Sequence, residues 1–274
     1  MPESGEDISG GGSGGGSGGG SGGGSGGGSG GGSGSGSGSG SSSASDREFH
    51  SASHREADIA HDDTLAIRLA GEAVLLLGQR ALYWPARERL VIADLHLGKS
   101  HVFRQAGIAV PRGATQADLD RLTRLVHDTS ARELWVVGDV LHGPMSQAGW
   151  REDWEAWRHA HAALDVAVLA GNHDRALEGA ALGMRQLGEA YVDGPFVFRH
   201  LPQPDPHGRH VIAGHVHPKT RLPGVPRDWP AFWLRPGITV LPAFSAFTGG
   251  HAVSVEDGHA LVACVEGSVV ALHR

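Results

Sequence analysis

The 274-residue chain has a single cysteine, Cys264, and this scarcity excludes two kinds of site. One cysteine cannot form an intramolecular disulfide, and it cannot supply the several thiolates of a structural zinc site. Cys264 lies in the apolar run LVACV, so we expect a small core residue. The sequence also lacks an apolar run of the roughly 20 residues that span a bilayer, and its N-terminus lacks the apolar segment of a signal peptide. These absences predict a cytoplasmic protein without a membrane partner.

Basic charge is also scarce. The chain has 23 lysine and arginine residues against 30 aspartate and glutamate residues, and its formal net charge is −7. A protein that holds nucleic acid by its own surface charge has the opposite balance. An anionic substrate is still compatible with this composition where bound cations reverse the local field.

The first part of the chain has almost no side chains to bury. Residues 10–33 are six consecutive copies of Gly-Gly-Gly-Ser, and alternating glycine and serine continue to residue 41. Such a tract loses much backbone entropy on ordering, so residues 1–63 are predicted to be a disordered extension or linker. The remaining residues, 64–274, are numerous enough for a single domain with a full core.

Short apolar and β-branched runs recur along this second part and predict buried strands. The runs are 73–78, 89–94, 133–139, 165–171, 195–200, 210–215, 238–244 and 261–272. Segments of helical period lie between several of them, at 115–129 with Thr115 as N-cap, at 147–164 and at 175–188. A tryptophan stripe in the second of these predicts a core face, and its members are Trp150, Trp154 and Trp157. Alternating strands and helices predict an α/β fold of two packed sheets with helices outside.

Three strand ends share one pattern, in which a glycine and then a potential metal ligand follow the apolar run. They are Gly138-Asp139, Gly171-Asn172 and Gly214-His215. Glycine lets the backbone turn sharply and approach a neighbour closely. Because sites form beyond the carboxyl ends of parallel strands, we expect these three strand ends to converge.

Two further pairs of potential ligands are spaced two residues apart, Asp94 with His96 and His215 with His217. In an extended chain such residues point to the same face, so each pair could hold one metal ion or two adjacent ones. Carboxylate, imidazole and amide ligands without cysteine suit Mn²⁺, Fe or Zn²⁺. A bridging carboxylate and several histidines are what a two-metal centre needs to clamp a phosphoryl group.

The order of these motifs resembles the calcineurin-like metallophosphoesterase family. The five blocks are Asp94-x-His96, Gly138-Asp139-Val140-Leu141-His142, Gly171-Asn172-His173-Asp174, an isolated His200 and Gly214-His215-x-His217. The flanking stretches at 93–113, 212–218 and 241–250 are similar to the bacterial ligase-associated DNA damage response endonucleases. The resemblance implies a four-layer αββα sandwich of two mixed β-sheets flanked by helices.

The resemblance also implies roles for individual residues. The metal ligands would be Asp94, His96 and His217 at the first ion, Asp139 as the bridge, and Asn172, His200 and His215 at the second. The two divalent ions are expected to be Mn²⁺, with Fe or Zn²⁺ as alternatives. A water between the ions would attack phosphorus in line, His173 would protonate the leaving group, and Asp174 would orient its imidazole.

Three residues near the predicted metal ligands have two interpretations each. Lys99 and Arg104 follow the first ligand pair and would either bind substrate phosphates or be ordinary solvated surface charges. His142 would either support a metal ligand or contact the phosphate.

Three functions stay open on the sequence. The first is a phosphodiesterase or endonuclease acting on DNA, which the family context places in repair beside a DNA ligase and a helicase. The second is a small-molecule phosphatase or nucleotide pyrophosphatase of the same superfamily, which the acidic composition favours. The third is a catalytically inactive scaffold, and the intact His173 and ligand set count against it.

Overall fold

A computed structural model of the chain describes residues 63–109, 113–142, 149–171, 174, 182–256 and 258–272. The predicted N-terminal extension, apart from Asp63, lies outside the described residues, so its disorder stays a prediction. Within the described ranges, no helix has the length and apolar character needed to cross a membrane.

The described strands form two mixed sheets, of which the first contains seven strands. In spatial order they are β1 (Thr64–Leu69), β2 (Glu72–Leu77), β3 (Ala81–Trp84), β4 (Arg89–Ala93), β5 (Glu133–Val137), β6 (Asp165–Leu169) and β7 (Arg185–Gln186). Strands β1 to β4 are antiparallel neighbours, with a short 3₁₀ turn at Pro85–Arg87 before β4. Strands β4 to β7 are parallel, and β4, β5 and β6 contain the β-branched residues that suit a sheet buried on both faces.

The second sheet contains the remaining nine described strands. They are β8 (Ala190–Asp193), β9 (Phe196–Arg199), β10 (His210–Ala213), β11 (Pro218–Arg221), β12 (Asp228–Arg235), β13 (Ile238–Val240), β14 (His251–Ala252), β15 (Ala260–Val265) and β16 (Ser268–Leu272). Their order is β14-β11-β12-β13-β10-β9-β8, and β15 pairs with β12 and with β16. Strands β9, β10 and β13 run parallel to one another.

Three α-helices are present in the described residues: α1 (Lys99–Gln105), α2 (Ala114–Thr129) and α3 (Gly149–Ala160). Helices α2 and α3 confirm the helices predicted at 115–129 and within 147–164. The predicted N-cap, Thr115, is wrong. The residue before helix α2 is Gly113, which has the left-handed conformation at φ 79°, and no side chain caps the helix. The helix predicted at 175–188 is also wrong at its end, where Arg185–Gln186 forms strand β7, while residues 175–181 lie outside the described ranges.

Two cores hold the layers together. The first lies between α2, α3 and the outer face of the first sheet, and it includes the tryptophan stripe, whose exposed fractions are 5%, 0% and 6% for Trp150, Trp154 and Trp157. The predicted core role of this stripe is confirmed. The second core lies between the two sheets and contains Trp135, Phe196, Phe198 and Phe232. Burial of large aromatic side chains supplies much of the free energy that joins such layers.

The outer face of the second sheet has a smaller apolar cluster. Its members are Val197, Val211, Ala213, Ile238 and Val240, with Val216 and Trp233 packed against them. None of these described members belongs to a helix. The predicted α/β sandwich of two mixed sheets is confirmed, with its described helices α2 and α3 packed on the first sheet.

Candidate metal centre

The ligand-bearing segments leave the sheets at one row of strand ends. In the first sheet Ala93, Val137 and Leu169 are register partners, so β4, β5 and β6 end side by side. Asp94, Gly138-Asp139 and the segment leading to Gly171 follow directly. Since these strands are parallel, all three segments emerge at the same edge, as the sequence pattern predicted.

The second sheet contributes its own parallel strand ends to the same place. Arg199 and Ala213 are register partners, and His200 and Gly214-His215 follow them. The two sheets are joined here because the backbone N–H of His215 donates to Oδ2 of Asp94 at 2.8 Å. A parallel bridge between Ala93 and Ala243 adds a second connection.

The first group of candidate ligands combines one carboxylate with two histidines. Oδ2 of Asp94 lies 3.3 Å from Nε2 of His217, and that nitrogen lies 3.4 Å from Nε2 of His96. Asp94 and His96 are buried and His217 is half-buried. These are the three residues that the resemblance assigns to the first metal ion.

The second group shares Asp94 with the first. Nδ1 of His200 lies 3.6 Å from Oδ1 of Asp94, and Nε2 of His200 lies 3.7 Å from Oδ1 of Asp139. Nδ1 of His215 lies 2.9 Å from Nε2 of His200. Asp94 is therefore the carboxylate common to both groups, and the bridging role of Asp139 stays a prediction.

The donor atoms of these groups fit divalent metal ions. Oδ1 of Asp94 and Nδ1 of His200 are buried and have no hydrogen-bond partner among the described residues, although they face each other. Buried polar atoms without partners are costly, and a shared cation would satisfy both. Burial lowers the pKa of His200, while Asp94 and Asp139 oppose that shift, so the neutral imidazole that binds metals is favoured.

The glycines at the strand ends make room for the ligands, as predicted. A Cβ on Gly138 would overlap Nδ1 of His200, and a Cβ on Gly171 would overlap Oδ1 of Asp139. A Cβ on Gly214 would lie 2.7 Å from Oδ2 of Asp94. Each glycine of the pattern therefore allows a close approach between backbone and ligand.

The backbone at the two ligand pairs differs from the extended chain that the spacing suggested. Asp94 and His96 have φ values of 52° and 49°, and His215 and His217 have 71° and 51°. Non-glycine residues rarely adopt positive φ, and such strain concentrates at functional sites. The members of the second pair point to different groups, since His215 lies beside His200 and His217 beside His96.

Asn172 and His173 lie outside the described residues, so their predicted roles as ligand and general acid stay predictions. The neighbouring Asp174 is buried, and its carboxylate accepts hydrogen bonds from the backbone N–H groups of Val140, Leu141 and Gly171 at 2.8–3.2 Å. Burial raises the pKa of Asp174, and the three backbone donors oppose that shift. Asp174 thus ties the segment after β5 to the segment after β6, a positioning role that the sequence did not reveal.

Lys99 is not a solvated surface charge, because only 8% of the residue is exposed and its Nζ lies 3.4 Å from Oγ1 of Thr248. Arg104, in contrast, is exposed. The His142 ring packs edge-on against His96 with centroids 5.4 Å apart, beside the first ligand group.

A solved structure from Pseudomonas putida, titled nuclease MPE, matches 76% of this chain and 100% of its own chain at 35% identity, with a TM-score of 0.66. The chain belongs to the metallophosphoesterase family. Two weaker structural matches, each 17% identical, are the protein AQ665 from Aquifex aeolicus and the E. coli phosphoesterase YfcE. They cover 47% and 66% of this chain and 78% and 96% of their own, with TM-scores of 0.35 and 0.39. No family model and no curated protein matches.

This metallophosphoesterase is a phosphoric ester hydrolase with a candidate site for divalent metal ions. The described candidate ligands meet at one centre, in which Asp94, His96, Asp139 and His200 are buried. The structure therefore supports the enzyme over the inactive scaffold.

Proposed function

We propose that the protein is a two-metal phosphodiesterase that cleaves DNA as an endonuclease. The observation that carries the proposal is the convergence of every described candidate ligand at the joined strand ends of both sheets. The likeness to the nuclease from Pseudomonas putida supports nucleic acid as the substrate. A role in DNA repair beside a ligase and a helicase, and a cytoplasmic location, are parts of the proposal that rest on the family resemblance and on the sequence.

In this proposal Asp94, His96 and His217 hold one ion. Asp139, Asn172, His200 and His215 would hold the other, and Asp139 would be the ligand common to both. Mn²⁺ is the metal that we propose. When bound, two such ions supply the positive charge that polarises a phosphoryl group and activates water.

The remaining steps belong to the protein. His173 gives a proton to the leaving oxygen, and Asp174 orients its imidazole. The Asp174 carboxylate also ties the segment that carries Asp139 to Gly171 after β6. His142 stands beside His96 and contacts either that ligand or the bound phosphate.

Hydrolysis of bis-p-nitrophenyl phosphate tests the proposed chemistry. Protein reconstituted with Mn²⁺ is expected to release p-nitrophenol and to lose this activity in excess chelator. Asp139→Ala is expected to remove metal and activity together. Absence of turnover with Mn²⁺, Fe²⁺ and Zn²⁺ would overturn the proposal.

His173→Ala tests the proton donor. The variant is expected to keep its metal and to lose rate, and the loss grows as the leaving group becomes a poorer one, because a poor leaving group depends more on protonation. Loss of metal in this variant would instead assign His173 to the ligand set.

The second candidate function is hydrolysis of small phosphate esters, which the net charge of −7 favours. Nicking of supercoiled plasmid DNA and release of phosphate from nucleotides separate the two candidates when both are measured on the same Mn²⁺-loaded protein. We expect nicking at nanomolar plasmid and little phosphate release. Phosphate release without nicking would assign the small-molecule function.

A further inference from the structure

Two cavities are lined in part by residues of the candidate metal centre. One, of about 390 Å³, is lined by Gly171 and His200, and another, of about 120 Å³, is lined by His217. A substrate held at the centre therefore has room to extend into either cavity. The two cavities differ in charge, and the smaller one is the more basic.

The smaller cavity is surrounded by cations. Arg80, Lys219 and Arg227 line it directly. Nζ of Lys99 lies 3.4 Å from Oγ1 of Thr248, which lines the cavity, and Nζ of Lys219 lies 3.2 Å from the carbonyl oxygen of the same threonine. Two lysines thus converge on one wall residue beside a candidate metal ligand, although the chain as a whole is acidic.

Within the described part of the chain, the hydrogen-bond and cation–π partners of these four cations are neutral, and the charge of Asp118 acts on Arg80 without an ion pair between them. Arg80 donates to the carbonyl oxygen of Ser245 at 3.1 Å, and the Arg227 guanidinium lies 4.0 Å from the centre of the Trp229 ring. No described carboxylate forms an ion pair with any of the four. Burial lowers the pKa of Lys99 and the nearby charge of Lys219 adds to that shift, while Asp94 and Asp139 oppose it.

One carboxylate, Asp228, does line the cavity. It is already paired with Arg221, whose guanidinium Nη2 lies 2.9 Å from its Oδ1. Asp228 therefore does not neutralise the cations facing it. Like charges gathered in a half-enclosed space cost free energy unless an anion joins them.

We infer that the cavity beside His217 binds a second phosphate of the substrate, one that flanks the reacting phosphodiester along a nucleic acid strand. This inference rests on the proposed function, which holds the reacting phosphate at the metal centre. Arginine and lysine are the usual partners of backbone phosphates, and a monoester substrate has no second anion to place there. The cavity thus favours a polynucleotide over a simple phosphate ester.

Chromogenic nucleotides that differ by one phosphate test the inference. Thymidine 5′-(p-nitrophenyl phosphate) is compared with its 3′-phosphorylated form, and thymidine 3′-(p-nitrophenyl phosphate) with its 5′-phosphorylated form, using Mn²⁺-loaded protein. In one of the two pairs the added phosphate is expected to raise kcat/KM by about tenfold, the effect of one charge-assisted hydrogen bond. The measured quantity is this gain, so changes in the rate of the unphosphorylated ester cancel.

Variants then assign the gain to the cavity. Lys219→Gln and Arg227→Gln are each expected to reduce the gain to less than about threefold, whereas Lys219→Arg keeps it, because the positive charge remains. Arg132→Gln is the matched control. Arg132 pairs with Glu88 on the surface and precedes β5, at the end of the strand opposite the centre, so the gain should be unchanged.

The outcomes distinguish failure of the proposed function from failure of the second phosphate site. If the wild-type protein hydrolyses none of the four esters, the proposed function fails and this inference fails with it. If it hydrolyses them without a gain, or if the gain survives in both glutamine variants, the second phosphate site alone is overturned. If no gain appears and the glutamine variants instead lose hydrolysis of thymidine 5′-triphosphate, the second phosphate belongs to a polyphosphate chain rather than to a strand.

Discussion

Gly138 and Gly71 have the same backbone angle, φ +87°, in different surroundings. A Cβ on Gly138 would overlap the His200 ring, whereas nothing lies within 4 Å of a Cβ on Gly71. Both alanine variants should lose about 1–2 kcal/mol of stability from the left-handed backbone. Only Gly138→Ala should also lose metal binding and most of the phosphodiesterase activity, because His200 is displaced.

Metal content and bis-p-nitrophenyl phosphate turnover per folded molecule check this prediction, with urea unfolding as the measure of stability. Gly71→Ala supplies the control for backbone strain. Full metal occupancy in Gly138→Ala would contradict the placement of His200.

Cys264 offers a second prediction for a single residue. It is 3% exposed in β15, and burial raises the pKa of its thiol to about 12. Because the thiolate is the reactive form, a disulfide reagent at pH 8 should leave the native protein unlabelled and should label it stoichiometrically in guanidinium. Rapid labelling of the native protein would show that the Cys264 side chain is not buried.

At the scale of elements, helix α2 is tied to the segment that follows β13. Asp118 accepts a hydrogen bond from Nη2 of Arg121 at 2.9 Å and from the backbone N–H of Ala246 at 3.2 Å. Arg121 also donates to the carbonyl oxygen of Phe244, and burial lowers its pKa to about 10. The segment held in this way continues to Thr248, which lines the cavity beside His217 and contacts both Lys99 and Lys219.

Asp118→Ala is therefore expected to destabilise the protein by about 3–5 kcal/mol, since it leaves the buried charge of Arg121 without its counter-ion. Asp120→Ala, on the same helix, removes an exposed carboxylate that accepts a hydrogen bond from Gln116 and should cost less than about 1 kcal/mol. Urea unfolding of both variants measures the difference. Equal losses would mean that the Asp118 network does not hold the two elements together.

Strand β12 was not predicted from the sequence, because its local pattern is not that of a strand. Its sequence, DWPAFWLR, contains Pro230, and proline lacks the N–H that a strand interior uses. The structure nevertheless pairs Pro230 with Lys219 and places the strand against β11, β13 and β15.

The eight runs of apolar residues each contain a strand, as predicted, because burial on both faces leaves a continuous apolar signal.

At the scale of the whole molecule, the candidate metal centre joins the two sheets. Asp94 follows β4 of the first sheet, while His200, His215 and His217 come from the second. Ligands that bind only the native state stabilise it, by about 2.7 kcal/mol at 100 times the dissociation constant. Mn²⁺ should therefore raise the melting temperature of metal-free protein, and a chelator should lower it again.

Two variants make this prediction specific. Asp94→Asn should abolish the Mn²⁺-dependent shift in melting temperature, because the carboxylate belongs to both ligand groups. Asp165→Asn should keep the shift, since Asp165 begins β6 at its other end and pairs with the exposed Arg185. A melting temperature that does not respond to Mn²⁺ would show that these residues hold no metal.

The sequence alone predicts the strands of the eight apolar runs, the ligand types and the glycines beside them, because apolar runs, imidazoles and a missing Cβ are local properties. Only the tertiary structure decided which ligands meet. His215 and His217 are two residues apart and lie in different groups, since positive φ at both positions turns the chain between them. The same holds for Lys99, Lys219, Arg80 and Arg227. Nothing local in the sequence connects these four cations. Arg80, Lys219 and Arg227 line one cavity, and Lys99 contacts its lining residue Thr248, because the packing of two sheets brings distant segments together.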